Sequence, residues 1–479
     1  MQTNIKFGTD GWRAVIAEDF TFQNVALVAQ ASATYWKRNP VPGRKPLIIV
    51  GFDRRFLSDE FARTTAEVFA GNGFQVLLAD QPTPTPAISY AVVNEQATAG
   101  IMITASHNPA KFNGYKIKAY FGGPADAELC QGIEACLEIE PVQQSKTNIT
   151  IQNLRPAYYR AITAQVDMRL IGQSGLKFAH DALFGAGAGC FEEILQNTNC
   201  TVTTINGRHD PLFGGINPEP IEKNCRLGAA FLQKNPHDFC LVTDGDADRI
   251  GAMDGKGNYL SAHQVICLVL YHLHKHKQLT GTFIKAISTT AMTEDMCRDY
   301  GCPVIEVPIG FKHVVPEITK PGALMAGEES GSLGFHNHIP ERDGMLAGLF
   351  ILEMLALEKR PLTEILGEIE AKYGKRYYRR IDAQFPLNKT KALLADFKSN
   401  PPEKLNYTDA NTKAQTLVLE KVNTLDGVKY LFNNNGWLLL RTSGTEPIIR
   451  LYAEARTPEA LEAILAYGEA KAKANGTVD

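Results

Sequence analysis

The sequence lacks the short motifs that assign many chains to a class at once. Its nine cysteines are scattered, and no two stand at Cys-x-x-Cys spacing, so neither a disulfide framework nor a zinc ribbon is supported. The glycine-rich run at residues 185–189 does not have the Gly-x-Gly-x-x-Gly spacing, and the Walker pattern does not occur. The missing glycine patterns argue against the standard nucleotide-binding loops. Because the cysteines are scattered, a reducing compartment is the simpler expectation.

The chain also has no excess of either charge and no long apolar run. Its 49 lysines and arginines are balanced by 52 aspartates and glutamates, giving a formal charge of −3, which excludes a globally basic nucleic-acid binder. The most apolar long stretch, residues 345–357, is interrupted by Glu353 and is too short to span a bilayer. Residues 1–8 carry no apolar signal-peptide core. We therefore expect a soluble, cytoplasmic protein with neither nucleic acid nor membrane as a partner.

Strand-like and helix-like segments alternate over most of the 479 residues, of which 44% are hydrophobic, enough for a large core. The alternation predicts βαβ units and mostly parallel sheets. Between about residues 371 and 429 the chain becomes more polar, which suggests a boundary before a separate C-terminal α+β unit. The predicted strands are 46–53, 74–79, 98–104, 176–183, 201–205, 238–243, 282–288, 304–307 and 437–440, and the clearest helices are 292–300 and 458–474.

The sharpest local signal is an acidic loop, Asp-Gly-Asp-Ala-Asp-Arg, at residues 244–249. It directly follows the strand predicted at 238–243, and α/β proteins bind ligands at the carboxyl ends of their strands. Three carboxylates spaced two residues apart can direct their oxygens at one point, and hard oxygen ligands suit Mg²⁺. A solvated acidic turn is the alternative. The strand context favours a metal site formed by Asp244, Asp246 and Asp248.

A second loop, Thr-Ala-Ser-His-Asn-Pro at residues 104–109, follows another apolar strand and presents Ser106 beside the titratable His107. The Gly-x-Ser-x-Gly pattern of a nucleophile elbow is absent. Taken alone, this loop is better explained by a capping serine before a proline than by a nucleophile. Downstream, Lys116 and Lys118 alternate in an extended segment, where anion binding and simple solvation are equally good explanations.

Two further loops combine hydroxyl groups with charge. Residues 441–447, Arg-Thr-Ser-Gly-Thr-Glu-Pro, leave a predicted strand, and an arginine fork, hydroxyls and a glycine make a suitable phosphate cradle. Arg450 lies close in sequence and adds charge. An ordinary hairpin turn is the alternative, with phosphate binding slightly favoured. Residues 327–331, Gly-Glu-Glu-Ser-Gly, suit a polyhydroxylated ligand and a polar turn equally well, so this loop alone decides nothing.

Three histidines, His272, His274 and His276, alternate along a predicted amphipathic helix. Helical side chains two residues apart do not share a face, so this spacing does not indicate one metal centre. A solvated helix end is the better explanation.

Five of these segments, in order along nearly the whole chain, resemble those of the α-D-phosphohexomutases, the group that contains phosphoglucomutases and phosphomannomutases. Any one match could arise by chance, but five in the family's order hardly can. The five segments are residues 7–13 (Phe-Gly-Thr-Asp-Gly-Trp-Arg), 104–109, 244–249, 327–331 and 441–447.

The resemblance implies a heart-shaped arrangement of four domains. Three are related α/β domains with mixed sheets, and the C-terminal α+β domain is similar to the TATA-binding-protein fold. We place the domains at residues 1–150, 151–258, 259–374 and 375–479. They would carry, in turn, the phosphoserine loop, the metal-binding loop, the sugar-binding loop and the phosphate-binding loop.

The resemblance also implies roles for individual residues. A phosphorylated Ser106 would carry nearly two negative charges, which Mg²⁺, Lys116 and Arg249 can offset. Lys116 is the candidate for proton transfer. The implied catalytic set is Ser106, His107, Lys116, Arg13 and Arg249. The implied metal ligands are Ser106, Asp244, Asp246 and Asp248. The implied substrate-binding set is Glu328, Ser330, Lys312, Arg441, Ser443, Gly444, Thr445 and Arg450.

The implied activity is the interconversion of glucose 1-phosphate and glucose 6-phosphate, with mannose phosphates as further candidate substrates. The 327–331 loop and the form of the 244–249 loop look more like glucose-type mutases than like phosphoglucosamine mutases. Residues 308–313 resemble the glucose-type sugar loop and depart from the phosphomannomutase pattern. The cofactor would be Mg²⁺, with glucose 1,6-bisphosphate as intermediate and activator, and the partners would be hexose phosphates. Two alternatives stay open: a glucose-1,6-bisphosphate synthase that uses another sugar bisphosphate as donor, and a non-catalytic sugar-phosphate sensor, against which the intact Ser106 and aspartates argue.

Overall fold

A computed structural model describes residues 5–8, 10–442 and 447–476. The chain divides into two compact units. The first comprises Met1–Ile284 with Gly310–Glu364, and the second comprises Lys285–Ile309 with Ile365–Asp479. The described residues form four β-sheets, which follow one another along the chain.

The first sheet is mixed, with strand β4 buried along its whole length at its centre. Its elements are β1 (Gly11–Val15), α1 (Phe22–Arg38), β2 (Lys45–Phe52), α2 (Ser58–Gly71), β3 (Gln75–Ala79), α3 (Thr85–Asn94), β4 (Ala97–Ile103), β5 (Phe112–Lys118), α4 (Ala127–Glu134) and β6 (Ile149–Gln152). The strand order is β1-β5-β4-β2-β3-β6. Strands β4, β2, β3 and β6 run parallel, and β5 is antiparallel to both of its neighbours. A continuous apolar run such as β4 is typical of a strand covered on both faces.

The second sheet is also mixed, with the order β11-β10-β9-β7-β8. Its region contains α5 (Arg155–Thr163), α6 (Met168–Gln173), β7 (Lys177–Asp181), α7 (Cys190–Leu195), β8 (Thr201–Ile205), α8 (Arg226–Lys234), β9 (Phe239–Thr243), β10 (Ile250–Asp254) and β11 (Tyr259–Leu260). Strand β7 is parallel to β8 and β9, whereas β9, β10 and β11 form an antiparallel meander.

The third sheet has four strands, in the order β13-β12-β14-β15. Its region contains α9 (Ala262–Lys275), β12 (Thr282–Ala286), α10 (Met292–Tyr300), β13 (Val304–Val307), α11 (Phe311–Ile318), β14 (Ala323–Gly327), β15 (Leu333–Phe335), α12 (Gly344–Glu358) and α13 (Leu362–Tyr373). Strands β14 and β15 are antiparallel and are joined by residues 328–332.

The fourth sheet is antiparallel throughout, with the order β16-β21-β20-β19-β18-β17. Its region contains β16 (Tyr377–Gln384), α14 (Thr390–Ser399), β17 (Lys404–Thr408), β18 (Ala414–Asn423), β19 (Val428–Phe432), β20 (Trp437–Thr442), β21 (Ile448–Ala455) and α15 (Pro458–Asn475). The predicted fold class, three α/β regions followed by an α+β region, is confirmed.

Local sequence signals set several helix starts. The Thr21 hydroxyl accepts a hydrogen bond from the Asn24 N–H at the start of α1. A capping box of Ser261 and Gln264 opens α9, and the Thr457 hydroxyl caps α15. Each cap satisfies a backbone donor that the first helical turn leaves unpaired.

The apolar stretch at residues 345–357 forms most of α12, and nearly every residue of this helix is buried. A helix that is apolar on all sides is expected in the interior of a protein of this size. Within the described ranges, no helix is both long enough and apolar enough to cross a bilayer.

The prediction of a solvated end for α9 was wrong at His272. This side chain is buried, and its Nε2 lies 2.7 Å from Glu353 Oε2 on α12. Burial lowers the pKa of His272, and the hydrogen bond to Glu353 only partly opposes that change. The partner comes from a helix 81 residues further along the chain, so the sequence of α9 alone could not show it.

A buried ion pair joins the first sheet to the segment before α12. Lys118 Nζ on β5 donates to Glu341 Oε2, and both side chains are completely shielded from solvent. Glu341 also accepts from the Arg342 N–H at 3.0 Å. The segment that carries Glu341 and Arg342 is therefore fixed next to β5.

We predict that Glu341→Gln lowers the free energy of unfolding by about 3–5 kcal/mol, because Lys118 is left buried without its carboxylate. Lys118→Met should cost less, since Glu341 keeps the N–H and guanidinium of Arg342. Urea unfolding followed by circular dichroism measures both changes. Equal unfolding midpoints for the wild type and Glu341→Gln would contradict the prediction.

Candidate active site and metal centre

Ser106 lies just beyond the carboxyl end of β4 and faces the acidic loop. Its Oγ donates to Asp244 Oδ2 at 2.9 Å, and the residue is 2% exposed. His107 Nδ1 lies 3.4 Å from the same Oγ. The backbone of Ser106 has φ of +52°, in the left-handed region that residues other than glycine adopt rarely. The tertiary structure thus holds this serine in an uncommon conformation.

The acidic loop follows β9, and its three aspartates are all completely buried. One oxygen from each of Asp244, Asp246 and Asp248 lies within 4.8 Å of the others. A Cβ added to Gly245 would stand 2.5 Å from the Ser106 carbonyl oxygen. Only glycine therefore lets the acidic loop approach the serine loop this closely. The structure brings together the two loops that the sequence singled out separately.

The surroundings of these carboxylates stabilise their negative charges to different degrees. Burial raises the pKa of Asp244, and the charges of Asp246 and Asp248 raise it further. Burial also opposes ionisation of Asp246, but Lys116 and the Thr85 hydroxyl hold its pKa well below the usual range. The Thr85 hydroxyl donates to Asp246 Oδ2 at 2.7 Å. Ionisation is thus favoured at Asp246 and opposed at Asp244.

Two cations contact the cluster directly. Lys116 Nζ on β5 lies 2.7 Å from Asp246 Oδ2 and 3.4 Å from Asp248 Oδ2. Arg342 Nη2 lies 2.9 Å from Asp248 Oδ2 and 3.2 Å from Asp10 Oδ2. Burial by itself would lower the pKa of Lys116, but the two carboxylates beside it raise the pKa overall.

The other predicted residues of the transfer site surround the same point. Arg13 Nη1 donates to Asn108 Oδ1 at 2.9 Å, and Arg249 Nη1 lies 3.4 Å from Glu219 Oε1. Burial lowers the pKa of His107 well below its usual value, and the charges of Arg249 and Arg13 lower it further. The imidazole is therefore neutral near pH 7.

The loop at residues 327–331 follows β14, in the same unit as Ser106. Glu328 is 4% exposed, and its Oε1 accepts from the Gly310 N–H at 2.9 Å. Burial, with a contribution from the charge of Glu329, raises the pKa of Glu328 to about 7. Ser330 Oγ lies 3.0 Å from Ser332 Oγ, and Lys312 is half-buried in the first turn of α11.

The second unit holds the predicted phosphate-binding arginines. Arg441 and Arg450 stand directly opposite each other on β20 and β21, so their side chains leave the sheet on the same face. Arg441 Nε donates to Asp426 Oδ2 at 2.8 Å, and Arg450 Nε lies 3.7 Å from Asp382 Oδ2. The remaining three residues of that prediction lie outside the described part of the chain: Ser443, Gly444 and Thr445.

Several residues around this site were not predicted from the sequence. Thr85 and Arg342 contact the acidic loop but stand in segments with no chemical motif. Gly185 belongs to the glycine-rich run set aside above, and a Cβ at this position would meet the Asp244 carbonyl oxygen at 2.7 Å. Asp53 and Arg55 follow β2, and the rule that ligands gather at strand ends would have drawn attention to them.

The chemistry of the cluster fits a divalent metal ion. The Oδ1 atoms of Asp246 and Asp248 are buried and have no hydrogen-bond partner among the described residues. Buried carboxylate oxygens without donors are costly unless a cation balances them. An all-oxygen ligand set of this kind suits Mg²⁺.

We predict that Mg²⁺ alone raises the unfolding temperature of the metal-free protein, because it binds the folded acidic loop. At a concentration 100 times the dissociation constant, the stabilisation should be about 2.7 kcal/mol. Asp248→Asn should abolish this response, whereas Asp59→Asn, at an exposed site on α2, should retain it. Differential scanning calorimetry with and without MgCl₂ measures both. A full response in Asp248→Asn would exclude this loop as the metal site.

Four family models match successive parts of the chain. They are the phosphoglucomutase/phosphomannomutase alpha/beta/alpha domain I at residues 4–143, domain II at 156–257, domain III at 261–373, and the C-terminal domain at 402–467. The domain boundaries that we placed from the sequence stay a prediction.

Complete proteins are similar over nearly their whole length. A crystal structure from Thermus thermophilus, provisionally named a phosphomannomutase, is 34% identical with a TM-score of 0.85, covering 98% of this chain and 99% of that one. A phosphoglucomutase/phosphomannomutase of Thermococcus kodakarensis is 28% identical, over 96% of this chain and 97% of its own. A phosphoglucosamine/phosphogalactosamine mutase of Sulfurisphaera tokodaii is also 28% identical, over 94% and 95%. The chain therefore belongs to the phosphoglucomutase/phosphomannomutase family of phosphohexomutases, and it is an enzyme.

Proposed function

We propose that this phosphohexomutase interconverts glucose 1-phosphate and glucose 6-phosphate through a phosphorylated Ser106. The observation that carries the proposal is the 2.9 Å hydrogen bond from Ser106 Oγ into the buried cluster of three aspartates. A hydroxyl held against a metal-binding cluster, with Lys116 beside it, has the parts that phosphoryl transfer needs.

In the first half of the cycle, the bond between phosphorus and Ser106 Oγ breaks and a new bond forms to the free hydroxyl oxygen of the sugar phosphate. The product is a hexose 1,6-bisphosphate. The sugar hydroxyl loses its proton and Ser106 Oγ gains one. Lys116, which is protonated because its pKa is raised, is the candidate to pass its own proton to Oγ and to take the one that the sugar releases. In the second half, the bisphosphate turns around and returns its other phosphoryl group to Ser106.

Charge stabilisation comes from residues around Ser106. Asp244, Asp246 and Asp248 would hold Mg²⁺ together with the phosphoserine, and the ion would act as a Lewis acid on the transferring group. Arg13 contacts the serine loop at Asn108, and His107 belongs to that loop. Together with Arg249, which ends the acidic loop, they would orient the phosphoryl oxygens. These groups are anchored before substrate binds, so little reorganisation is required.

Sugar recognition and phosphate recognition are assigned to different loops. Glu328, Ser330 and Lys312 would bind the sugar hydroxyls. Arg441 and Arg450, directly opposite each other on β20 and β21, offer two guanidinium groups to one phosphate. We assign Ser443, Gly444 and Thr445 to the same phosphate on the basis of their motif alone.

Glucose is our first choice of sugar because of the Gly-Glu-Glu-Ser-Gly loop. Relatives carry names that include mannose- and amino-sugar-phosphate activities. The substrate panel should therefore include mannose 1-phosphate and glucosamine 1-phosphate. A higher kcat/KM for either of these than for glucose 1-phosphate would overturn the choice of sugar while leaving the mutase mechanism in place.

We predict that Ser106→Ala lowers mutase turnover by about 10⁴-fold or more, because no other side chain replaces the nucleophile. The assay follows glucose 1-phosphate with Mg²⁺ and a trace of glucose 1,6-bisphosphate by ³¹P NMR. Ser399→Ala, at an exposed position ending α14, is the matched control and should retain activity.

Two outcomes would contradict this proposal. Near-normal turnover by Ser106→Ala would exclude the phosphoserine mechanism. Stoichiometric accumulation of glucose 1,6-bisphosphate, with added fructose 1,6-bisphosphate consumed as donor, would make the wild-type enzyme a bisphosphate synthase.

We also predict that KM for glucose 1-phosphate falls as pH rises from about 6 to 8. The Glu328 pKa is raised to about 7, so its carboxylate forms over this range and accepts sugar hydroxyls more strongly. The phosphate of the substrate titrates near pH 6, about one unit lower, in every variant. Comparison with Glu328→Gln, which should lose the inflection near pH 7, separates the two titrations. Glu329→Gln should move the inflection to lower pH, because a neighbouring negative charge is removed. An unchanged profile in Glu328→Gln would refute the assignment.

A further inference from the structure

Arg55 lies beyond the end of β2, is 2% exposed, and uses all of its hydrogen-bond donors. Its Nε donates to Asp53 Oδ2 at 3.1 Å. The remaining four N–H groups donate to backbone carbonyl oxygens of residues 106–112, the segment that runs from Ser106 to the start of β5. Nη1 reaches Pro109 at 3.0 Å and Phe112 at 2.9 Å, and Nη2 reaches Ser106 at 2.5 Å and Asn108 at 2.7 Å. An arginine side chain has five N–H donors, so none is left over.

A second set of hydrogen bonds holds the same loop through the backbone N–H of Ser106. The Thr104 hydroxyl donates to Asp53 Oδ2 at 2.6 Å and accepts from the Ser106 N–H at 2.8 Å. Asp53 Oδ1 accepts from the Arg55 N–H at 2.9 Å. Both backbone polar groups of Ser106 are therefore tied to one buried assembly. We call Asp53, Arg55 and Thr104 the loop clamp.

The conformation of Ser106 explains why such a clamp is needed. A non-glycine residue with φ of +52° costs about 1–3 kcal/mol and persists only where its surroundings impose it. Relaxation of this backbone would rotate Cα–Cβ and move Oγ away from Asp244, its partner at 2.9 Å. The four carbonyl groups bound by Arg55 would also lose their donor, which is costly above all for the buried Ser106 carbonyl.

We propose that Arg55 is a positioning residue for phosphoryl transfer, which holds the Ser106 loop so that Oγ and the phosphate it carries face the acidic loop. This inference rests on the proposed phosphoserine chemistry. Arg55 acts through the backbone and does not contact Oγ. Its guanidinium also lies over the Phe213 ring, 4.9 Å from the ring centroid. A lysine has three donors on one nitrogen and cannot replace this fork.

The neighbouring arginine offers a matched control. Arg54 Nη1 makes one hydrogen bond, to the Gly207 carbonyl oxygen at 2.6 Å, which a lysine can also make. Arg55→Lys and Arg54→Lys therefore make the same substitution at adjacent positions. We expect Arg55→Lys to lower kcat by about 100-fold, because a displacement of a reacting group by about 1 Å has this effect. KM should stay within about twofold of the wild-type value. Arg54→Lys should retain both constants.

Hydrogen–deuterium exchange supplies a readout that does not depend on activity. Exchange in a peptide covering residues 104–113 should be faster in Arg55→Lys than in the wild type, while exchange in α12 stays the same. Faster exchange with an unchanged kcat would overturn the positioning role, and unchanged exchange would overturn the clamp itself. A wild type that is inactive on every hexose phosphate would refute the proposed function, and the exchange comparison would still decide whether Arg55 holds the loop.

A second variant covers the case in which Arg55→Lys does not fold. Thr104→Val keeps the volume of the side chain and all five Arg55 hydrogen bonds, but removes the link from Asp53 to the Ser106 N–H. The same selective loss of kcat is expected, at about tenfold or more, with faster exchange in residues 104–113. Wild-type kcat in a folded Thr104→Val protein would overturn the inference that the clamp positions Ser106.

Discussion

The burial of three carboxylates within 4.8 Å of one another is the constraint on which the rest of the site depends. Removing like charges from water costs several kcal/mol for each ion unless opposite charge and hydrogen bonds balance it. The protein supplies Lys116, Arg342 and the Thr85 hydroxyl, and Asp244 Oδ1 accepts two backbone N–H groups. Two buried carboxylate oxygens are still without donors among the described residues, and this remaining imbalance suits a divalent cation.

Several arginines near the serine and acidic loops are paired with a carboxylate outside the three-aspartate cluster. Glu219 lies beside Arg249, Asp10 beside Arg342, and Asp53 beside Arg55. In the second unit, Asp426 and Asp382 do the same for the two opposed arginines of β20 and β21. Cations that are fixed in this way before substrate binds need not reorganise when negative charge moves. Arginines paired with a carboxylate thus occur in both units.

The loops that meet around Ser106 start from buried strands, which restrict their movement. β4 ends before Ser106, and β9 ends before Asp244. Glycine at position 245 permits the close approach of the two loops, because a side chain there would overlap the Ser106 carbonyl oxygen. Rigid strands with short polar loops give a site whose geometry is set by the core.

The sequence by itself determined the alternation of strands and helices, the acidic loop and the serine loop, because hydrophobic periodicity and strand-end motifs are local patterns. It also identified the family, through five motifs in order. Only the tertiary structure decided which groups pair with the buried side chains of the acidic loop, of His272 and of Arg55. Thr85 meets Asp246 across 161 residues, and His272 finds Glu353 on another helix. Arg55 stands two residues after an aspartate in an ordinary loop, and its four contacts to the segment that carries Ser106 exist only once β2 and β4 are neighbours. Burial and electrostatic partnership depend on distance in space, which local sequence patterns do not contain.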